Sequence, residues 1–429
     1  MIDRYQTPAM SGIWSREAKY QRWLEVELAI CEGWAEEGIV PAAELESIRA
    51  HSGFDIARCD ELEKETRHDL MAFVRNVSER ILAGTNQIDP TPARWVHFGV
   101  TSYDVIDTAL GMMLRDSCDV LIASTEGLIE TIQAKKAEHG HHPCIGRTHG
   151  IHAEPITFGH KLDGWFHELG RSLKRLAAAR EDVAVGKVSG AVGIHAHASP
   201  AVEARICAKL GLEPDPNSTQ IIARDRMANL LSVMAVLAGS LERIATELRN
   251  LQRTEILEVQ EEFAKGQTGS SAMPHKRNPW NSETVCGLAR IVRANAHAML
   301  ESVMTWHERD LTNSSLERII LPDTFHLVDF MLNRLNRIIK GLVVMPENMM
   351  RNLRLMGDLV FSEHVMVELI RAGLSREAAY KAAQRNAAKA WDGEDFQTAV
   401  RSDPEVAAKL RSEHLDAIFS LEHHLRNAP

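Results

Sequence analysis

The chain has six cysteines and no Cys-x-x-Cys pair: Cys31, Cys59, Cys118, Cys144, Cys207 and Cys286 are scattered along it. That spacing excludes a disulfide framework and a cysteine-based zinc site, and reads as reduced thiols inside a cell. No run approaches the ~20 apolar residues of a membrane helix, and Met1-Ile2-Asp3-Arg4-Tyr5 lacks the basic-then-apolar pattern of a signal peptide. The expectation is a soluble, cytoplasmic protein. Positive charge is short as well, with 49 Lys and Arg against 59 Asp and Glu, a net charge of -10. A general nucleic-acid or acidic-membrane surface is therefore not expected, and an anionic ligand must meet a local cluster of cations. Strand signals, internal repeats and low-complexity linkers are nearly or wholly missing. His139, His141 and His142 lie beside Gly140 and Pro143 without a carboxylate or i, i+4 spacing, so they read as a turn, and no metal or cofactor is expected.

What remains is helix. Met227, Leu230, Met234, Leu237, Leu241, Ile244, Leu248 and Leu251 alternate steps of three and four, the pattern of a coiled-coil seam. No proline lies between Pro216 and Pro274, so this helix can extend from about Thr219 to about Phe263, roughly 60 Å at ~1.5 Å per residue. So long an apolar stripe needs partner helices, from the same chain or from copies of it. Further helices are expected over Arg16 to Ala35, Ala42 to Ala50, Asp104 to Glu138, Trp280 to Trp306, Glu363 to Ala372, Ser375 to Trp391 with Ser375 as cap, and Pro404 to His414. A chain of 429 residues exceeds the reach of one core. Three regions are drawn: an N-terminal helical domain over 1–103, a central long-helix domain over 104–346 with a loop at 266–280, and a small helical domain over 347–429.

Chemistry concentrates in loops. Gly269-Ser270-Ser271-Ala272-Met273-Pro274-His275-Lys276-Arg277-Asn278-Pro279 sets two hydroxyls beside two cations, where glycine and two prolines oppose a continuing helix. A positive neighbourhood is what a hydroxyl needs to act as a base. Four other segments are as dense in polar groups: Thr66-Arg67-His68-Asp69, His97-Phe98-Gly99-Val100-Thr101-Ser102, Gly146 to Pro155 with Thr148 and His149, and Trp306-His307-Glu308-Arg309-Asp310.

In order and spacing these five segments resemble the fumarase/aspartase/argininosuccinase superfamily, and within it the adenylosuccinate lyase branch, over nearly the whole chain. The resemblance implies an all-α fold, with a central five-helix bundle that assembles into a tetrameric helical core and active sites shared between subunits. It implies β-elimination of fumarate from adenylosuccinate, giving AMP, and from SAICAR, giving AICAR. By the same resemblance Ser270 is the base, with Lys276 and loop N–H groups stabilising its alkoxide, and His149 is the acid, paired with Glu283. His68 is a second histidine at the substrate phosphate and leaving group. Arg4, Tyr5, Arg67, His68, Asp69, Thr101, Ser102, Gln220, Arg309, Ser314 and Arg318 fall at nucleotide- and succinyl-binding positions, and Thr148, Lys276 and Asn278 at the carboxylates. Ala9 stands where the branch has glutamate, and Tyr103 where it commonly has a smaller residue. Sibling activities on argininosuccinate, fumarate or carboxymuconate, and a helical scaffold without chemistry, are the alternatives. Arg67-His68-Asp69 and Trp306-His307-Glu308-Arg309-Asp310 favour the purine branch.

Overall fold

The three-and-four stripe forms a helix, Asp225–Leu251, and all eight of its apolar side chains are buried, between 0% and 4% exposed. The structure, a computed structural model, describes residues 1–86, 90–263, 266 and 272–428; Ser270 lies outside them. At 27 residues the helix spans about 40 Å, shorter than the missing prolines allowed. Before it, Ile222 gives its N–H to Asp107 and its carbonyl to Arg224, which fixes a non-helical approach. Beyond it, Leu257 takes a left-handed conformation (φ 45°), and Val259–Gln260 pairs antiparallel with Val343–Val344. By length and composition this helix could also cross a bilayer. Its buried seam and its ion pairs, Glu247 with Lys161 at 2.7 Å and Arg243 with Glu168, make it a core helix instead.

The expected helices are present with shifted ends: Arg16–Glu36, Ala42–His51, Ser102–His139, Ser362–Arg371 and Arg376–Trp391. Ser375 caps the last of these through the Ala378 N–H at 3.2 Å. Three expectations are corrected. The helix from Trp280 stops at Glu301, because Asp310 accepts from the Trp306 and Thr312 N–H groups at 2.8 Å, which makes a loop and starts the helix Thr312–Lys340. Pro404 to His414 is two short helices, Pro404–Ala407 and Ser412–Ile418. Strands do occur, as three two-stranded sheets among the described residues, the largest the hairpin Pro143–Thr148 and Ile151–Thr157. The helices Phe158–Val183 and Thr312–Lys340 were not foreseen.

By internal contacts the chain forms two compact units. The first holds residues 1–127, 170–242 and 285–334. Its N-terminal helices pack around Tyr20, Trp23 and Phe73, whose rings lie 4.9 to 5.6 Å apart. Its polar centre is Arg224, which has no exposed side-chain surface. The guanidinium forks onto both oxygens of Asp107 (2.6 and 2.9 Å) and both of Glu317 (2.8 and 3.1 Å), joining three helices at one point. A second fully buried pair joins Lys187 to Asp104.

The second unit holds residues 128–169, 243–284 and 335–429. The small C-terminal helices share a core of Leu353, Phe361, Val365, Leu369, Phe396, Val400 and Leu415, to which the hairpin adds Ile145. The strand pairing is irregular between Ile145 and Arg147, where a Cβ on Gly146 would lie 2.9 Å from the Glu154 carbonyl oxygen. On the other strand, Glu154 shares a hydrogen bond with Glu363. Two carboxyl groups can do so only with a proton between them, and burial, then Glu363, push Glu154 up to about 7.

Each unit yields a prediction. Arg224→Met leaves two carboxylates buried without their cation and lowers stability by about 3–5 kcal/mol. The midpoint of denaturant unfolding measures it; a loss below about 1 kcal/mol contradicts the role given to Arg224. For Glu154 the folded pKa exceeds the unfolded one, so its contribution is full below its ordinary value of 4.5 and is lost as pH rises through about 7. Glu154→Gln keeps a donor without a titrating proton. Its melting temperature falls less than the wild type's from about pH 6 to about pH 8, and identical slopes contradict the shared proton.

Candidate active site

In the first unit, Ser314, Arg318 and Tyr103 line one pocket of about 270 Å³, walled by Trp14, Trp23 and Leu321. Ser314 and Arg318 are one turn apart on the helix Thr312–Lys340, and the Arg318 Nε lies 3.4 Å from the Ser314 Oγ. The Arg318 Nη2 pairs with Asp69 at 2.7 Å. Burial opposes ionisation of Asp69, but Arg318 and Lys19 outweigh it and hold the carboxyl below its usual range. Tyr103 carries a second arginine: the Arg309 guanidinium lies 3.7 Å from the ring centroid, and its Nη1 donates to the Gln220 Oε1 at 2.9 Å. That stacking holds a cation in place without neutralising it. The Arg309 Nε is buried with no hydrogen-bond partner among the described residues. Five of the residues expected at a ligand, Asp69, Gln220, Arg309, Ser314 and Arg318, are thus joined through Tyr103 and the pocket wall.

Among the described residues no hydrogen bond or ion pair ties Arg4, Tyr5, Arg67, Thr101 or Ser102 to that group, and His68 reaches it only through its neighbour Asp69. Arg4 is exposed in the turn Asp3–Tyr5, and Tyr5 sets its ring edge against Phe330 at 5.1 Å. Arg67 ends the helix Ile56–Thr66 in a left-handed conformation (φ 52°), and His68 begins Asp69–Gly84 with its Nδ1 3.7 Å from the Asp69 Oδ1. Thr101 and Ser102 stand at the start of Ser102–His139, where the Asp104 carboxylate accepts the Thr101 N–H at 2.8 Å. Two hydroxyls at the positive end of a 38-residue helix suit an anion.

In the second unit, the strand partners Thr148 and Ile151 leave His149 and Gly150 as the two-residue turn of the hairpin. Both have positive φ, 55° and 79°, as two-residue hairpins require, although histidine is not the residue that geometry favours. Arg147, just before the tip, forks onto Glu258 at 2.5 and 3.3 Å, and Glu258 also accepts from Asn352 at 2.9 Å. His149 is therefore exposed on a firmly anchored stem. Met273 to Lys276 form a turn closed at 3.0 Å, with Pro274 second, and Lys276 is exposed. The buried Glu261 accepts from the Ser282 N–H (2.8 Å) and Oγ (2.6 Å), so a carboxylate caps the helix Trp280–Glu301 just after Asn278. Glu283 is exposed in the first turn of that helix, and among the described residues no bond joins it to His149 within the chain.

Several residues that shape the site were not singled out from sequence. His97, left-handed at φ 63°, places its Nδ1 2.7 Å from Glu27, which also accepts the His97 N–H at 2.9 Å. Burial opposes its protonation, but Glu27 prevails and raises its pKa. His97 stands within a quoted polar segment; Glu27, on an apolar helix face seventy residues earlier, gave no sign. Arg147 and Glu154 were likewise inside a quoted segment, whereas Lys19, Glu258 and Glu261 had no local signal.

Residues 3–294 match the family model described as "Lyase", and residues 358–429 that described as "Adenylosuccinate lyase C-terminus". The chain is 48% identical over 429 residues to an adenylosuccinate lyase from Synechocystis sp., covering 100% of this chain and 98% of that one. It is 46% identical over 428 residues to an adenylosuccinate lyase from Bacillus subtilis, covering 100% and 97%. Among solved structures, a fumarate lyase from Mesorhizobium sp. BNC1 superposes with a TM-score of 0.88 at 26% identity, covering 99% of this chain and 96% of that one. A 3-carboxy-cis,cis-muconate lactonizing enzyme from Pseudomonas putida gives 0.87 at 31%, covering 98% and 94%. The chain belongs to the adenylosuccinate lyase family, within the helical fumarate lyase superfamily.

Proposed function

We propose that this protein cleaves adenylosuccinate to AMP and fumarate, and SAICAR to AICAR and fumarate, in purine nucleotide biosynthesis, as a cytoplasmic homotetramer. The observation that carries the reading is the 48% identity to an adenylosuccinate lyase along the whole chain. The lactonizing enzyme, similar in fold at 31% identity, supports a second reading as a carboxymuconate cycloisomerase. The match of residues 358–429 to an adenylosuccinate lyase C-terminus weighs against it.

The elimination asks for a base at the carbon beside a carboxylate, donors for the aci-carboxylate that forms, and an acid for the departing nitrogen. In our reading Ser270 is the base, with Lys276 favouring its alkoxide. His149 is the acid, with Glu283 of another chain orienting its ring and raising its proton affinity. Thr148, Lys276 and Asn278 hold the succinyl carboxylates. His68 serves the phosphate and the leaving group, and Arg4, Tyr5, Arg67, Asp69, Thr101, Ser102, Gln220, Arg309, Ser314 and Arg318 hold the nucleotide. Arginine suits both anions because its planar fork donates two hydrogen bonds at once. The regions 1–103, 104–346 and 347–429 are the proposed domains of each subunit. Exposure of both His149 and Glu283 supports a site completed on assembly.

The test is an ultraviolet assay on adenylosuccinate, with argininosuccinate and carboxymuconate as controls. Turnover of adenylosuccinate alone is expected; turnover of carboxymuconate alone overturns the reading in favour of the second. Ser270→Ala is expected to lower kcat by ~10²-fold or more without loss of folding, and a near-normal rate removes Ser270 as the base.

A further inference from the structure

Gln220 holds Arg309 at two points. Its Oε1 accepts from the Arg309 Nη1 at 2.9 Å, and its N–H donates to the carbonyl of Glu308, the residue before, at 3.3 Å. A guanidinium can only donate, so the Gln220 amide turns its oxygen to Arg309 and its NH2 the other way. There the Nε2 meets the Ala191 carbonyl at 3.1 Å. With both ends of its amide engaged, Gln220 links Arg309 to the segment that contains Ala191. Tyr103 holds the guanidinium over its ring, but a ring face gives it no fixed direction; Gln220 does.

The segment around Ala191 has no regular structure of its own, lying between the strand Val185–Gly186 and the helix Pro200–Lys209. It nevertheless backs residues 218–220 at two further places. The Ser189 and Ser218 hydroxyls lie 2.7 Å apart, and Gly193 (φ 84°) comes so near that a Cβ on it would stand 2.1 Å from the Ser218 carbonyl oxygen. Asp104 fixes its start by accepting the Gly190 N–H at 3.2 Å. His195 fixes its far end. The His195 N–H closes onto the Ser189 carbonyl at 3.0 Å, and its ring Nε2 lies 3.0 Å from one oxygen of Glu203. The other Glu203 oxygen accepts the Val188 N–H at 2.6 Å. One buried carboxylate thus clamps both ends of the stretch 188–195, and among the described residues no lysine or arginine pairs with it. His195 holds a left-handed conformation (φ 55°) that would cost a glycine nothing. What the histidine adds over glycine there is the ring bond to Glu203.

We propose that His195 is a positioning residue of the nucleotide site: by clamping the segment 188–195 onto Glu203 it holds the Ala191 carbonyl where it orients Gln220, and through Gln220 the Arg309 guanidinium. Its action is indirect, so it bears on binding rather than on the proton transfers. The identity of the ligand rests on the proposed lyase function; the chain of contacts from Glu203 to Arg309 does not.

The test uses His195→Gly, which relieves the backbone and removes the clamp, and His195→Gln, which offers an amide N–H at the reach of Nε2. Adenylosuccinate kinetics and AMP affinity by calorimetry are measured for each, and again in a Gln220→Met background. For His195→Gly, KM and the AMP Kd are expected to rise about 5- to 20-fold, less than the ~10- to 100-fold of losing a charged hydrogen bond outright. The accompanying change in kcat stays below about twofold, the signature of lost binding, and His195→Gln restores most of the affinity. In the Gln220→Met background His195→Gly adds less than about twofold, because the link is already cut. Unchanged KM and Kd overturn the proposal, and so does a penalty that persists undiminished without Gln220, as a general folding defect would give. If the wild type neither cleaves adenylosuccinate nor binds AMP, the lyase reading fails, and crystal structures of the wild type and His195→Gly decide the positioning role. Loss of the Ala191–Gln220 bond with displacement of Arg309 sustains it; an unmoved Arg309 overturns it.

Discussion

The Arg224 guanidinium is the constraint on which the first unit depends. It is buried with two carboxylates, and each of its two ion pairs binds a different helix to the segment that begins Asp225–Leu251. A buried ion cluster of this kind is tolerated only when every donor has an acceptor. Arg224 meets that condition with two bidentate forks and the Ile222 carbonyl. The ligand-facing residues follow from it. Tyr103 stands one turn before Asp107, and Ser314 and Arg318 flank Glu317, so one fixed point sets the pocket wall and the platform for Arg309. Burial raises the Glu317 pKa against the pull of Arg224, as expected where two acids share one base.

The second unit solves a different problem, holding an exposed histidine in an unfavourable backbone conformation. The positive φ of His149 is sustained by the strand pairing behind it and by the Arg147 fork onto the buried Glu258. On the same hairpin, burial and then the neighbouring Glu363 push the Glu154 carboxyl up to about 7. Reactive groups at loop tips need such anchoring, because a displacement of about an ångström at the chemistry can cost 10²-fold in rate.

Much of this was legible in sequence, for identifiable reasons. The seam from Met227 to Leu251 declares itself because a buried stripe has a period, and every member of it is buried. The ends of that helix did not, because they are set by partners far away in sequence, Asp107 and Val343–Val344. The hairpin escaped notice because its strands carry Gly146, His152, Glu154 and Pro155 rather than an alternating apolar pattern. At the candidate site, the polar segments marked Asp69, Thr101, His149 and Arg309, whereas the carboxylates that anchor nearby backbone, Glu27 at His97, Glu258 at Arg147 and Glu261 at Ser282, lie in ordinary helical or extended stretches. Ser270, the residue on which the chemistry was read most directly, lies outside the described residues.

On the proposed reading, a chain of net charge -10 handles a substrate bearing a phosphate and two carboxylates. The cations needed are kept unspent or half-spent: Arg309 over Tyr103, Arg318 shared with Asp69. The acid and its proposed partner are both exposed, and among the described residues no bond joins them within the chain, which is the reason for reading the site as a product of assembly. Mixing two inactive variants, His149→Gln and Lys276→Ala, by joint unfolding and refolding tests that claim most directly. If each site draws His149 and Lys276 from different chains, the hybrids recover adenylosuccinate cleavage that neither parent has. Hybrids that are demonstrably mixed and remain inactive would contradict it.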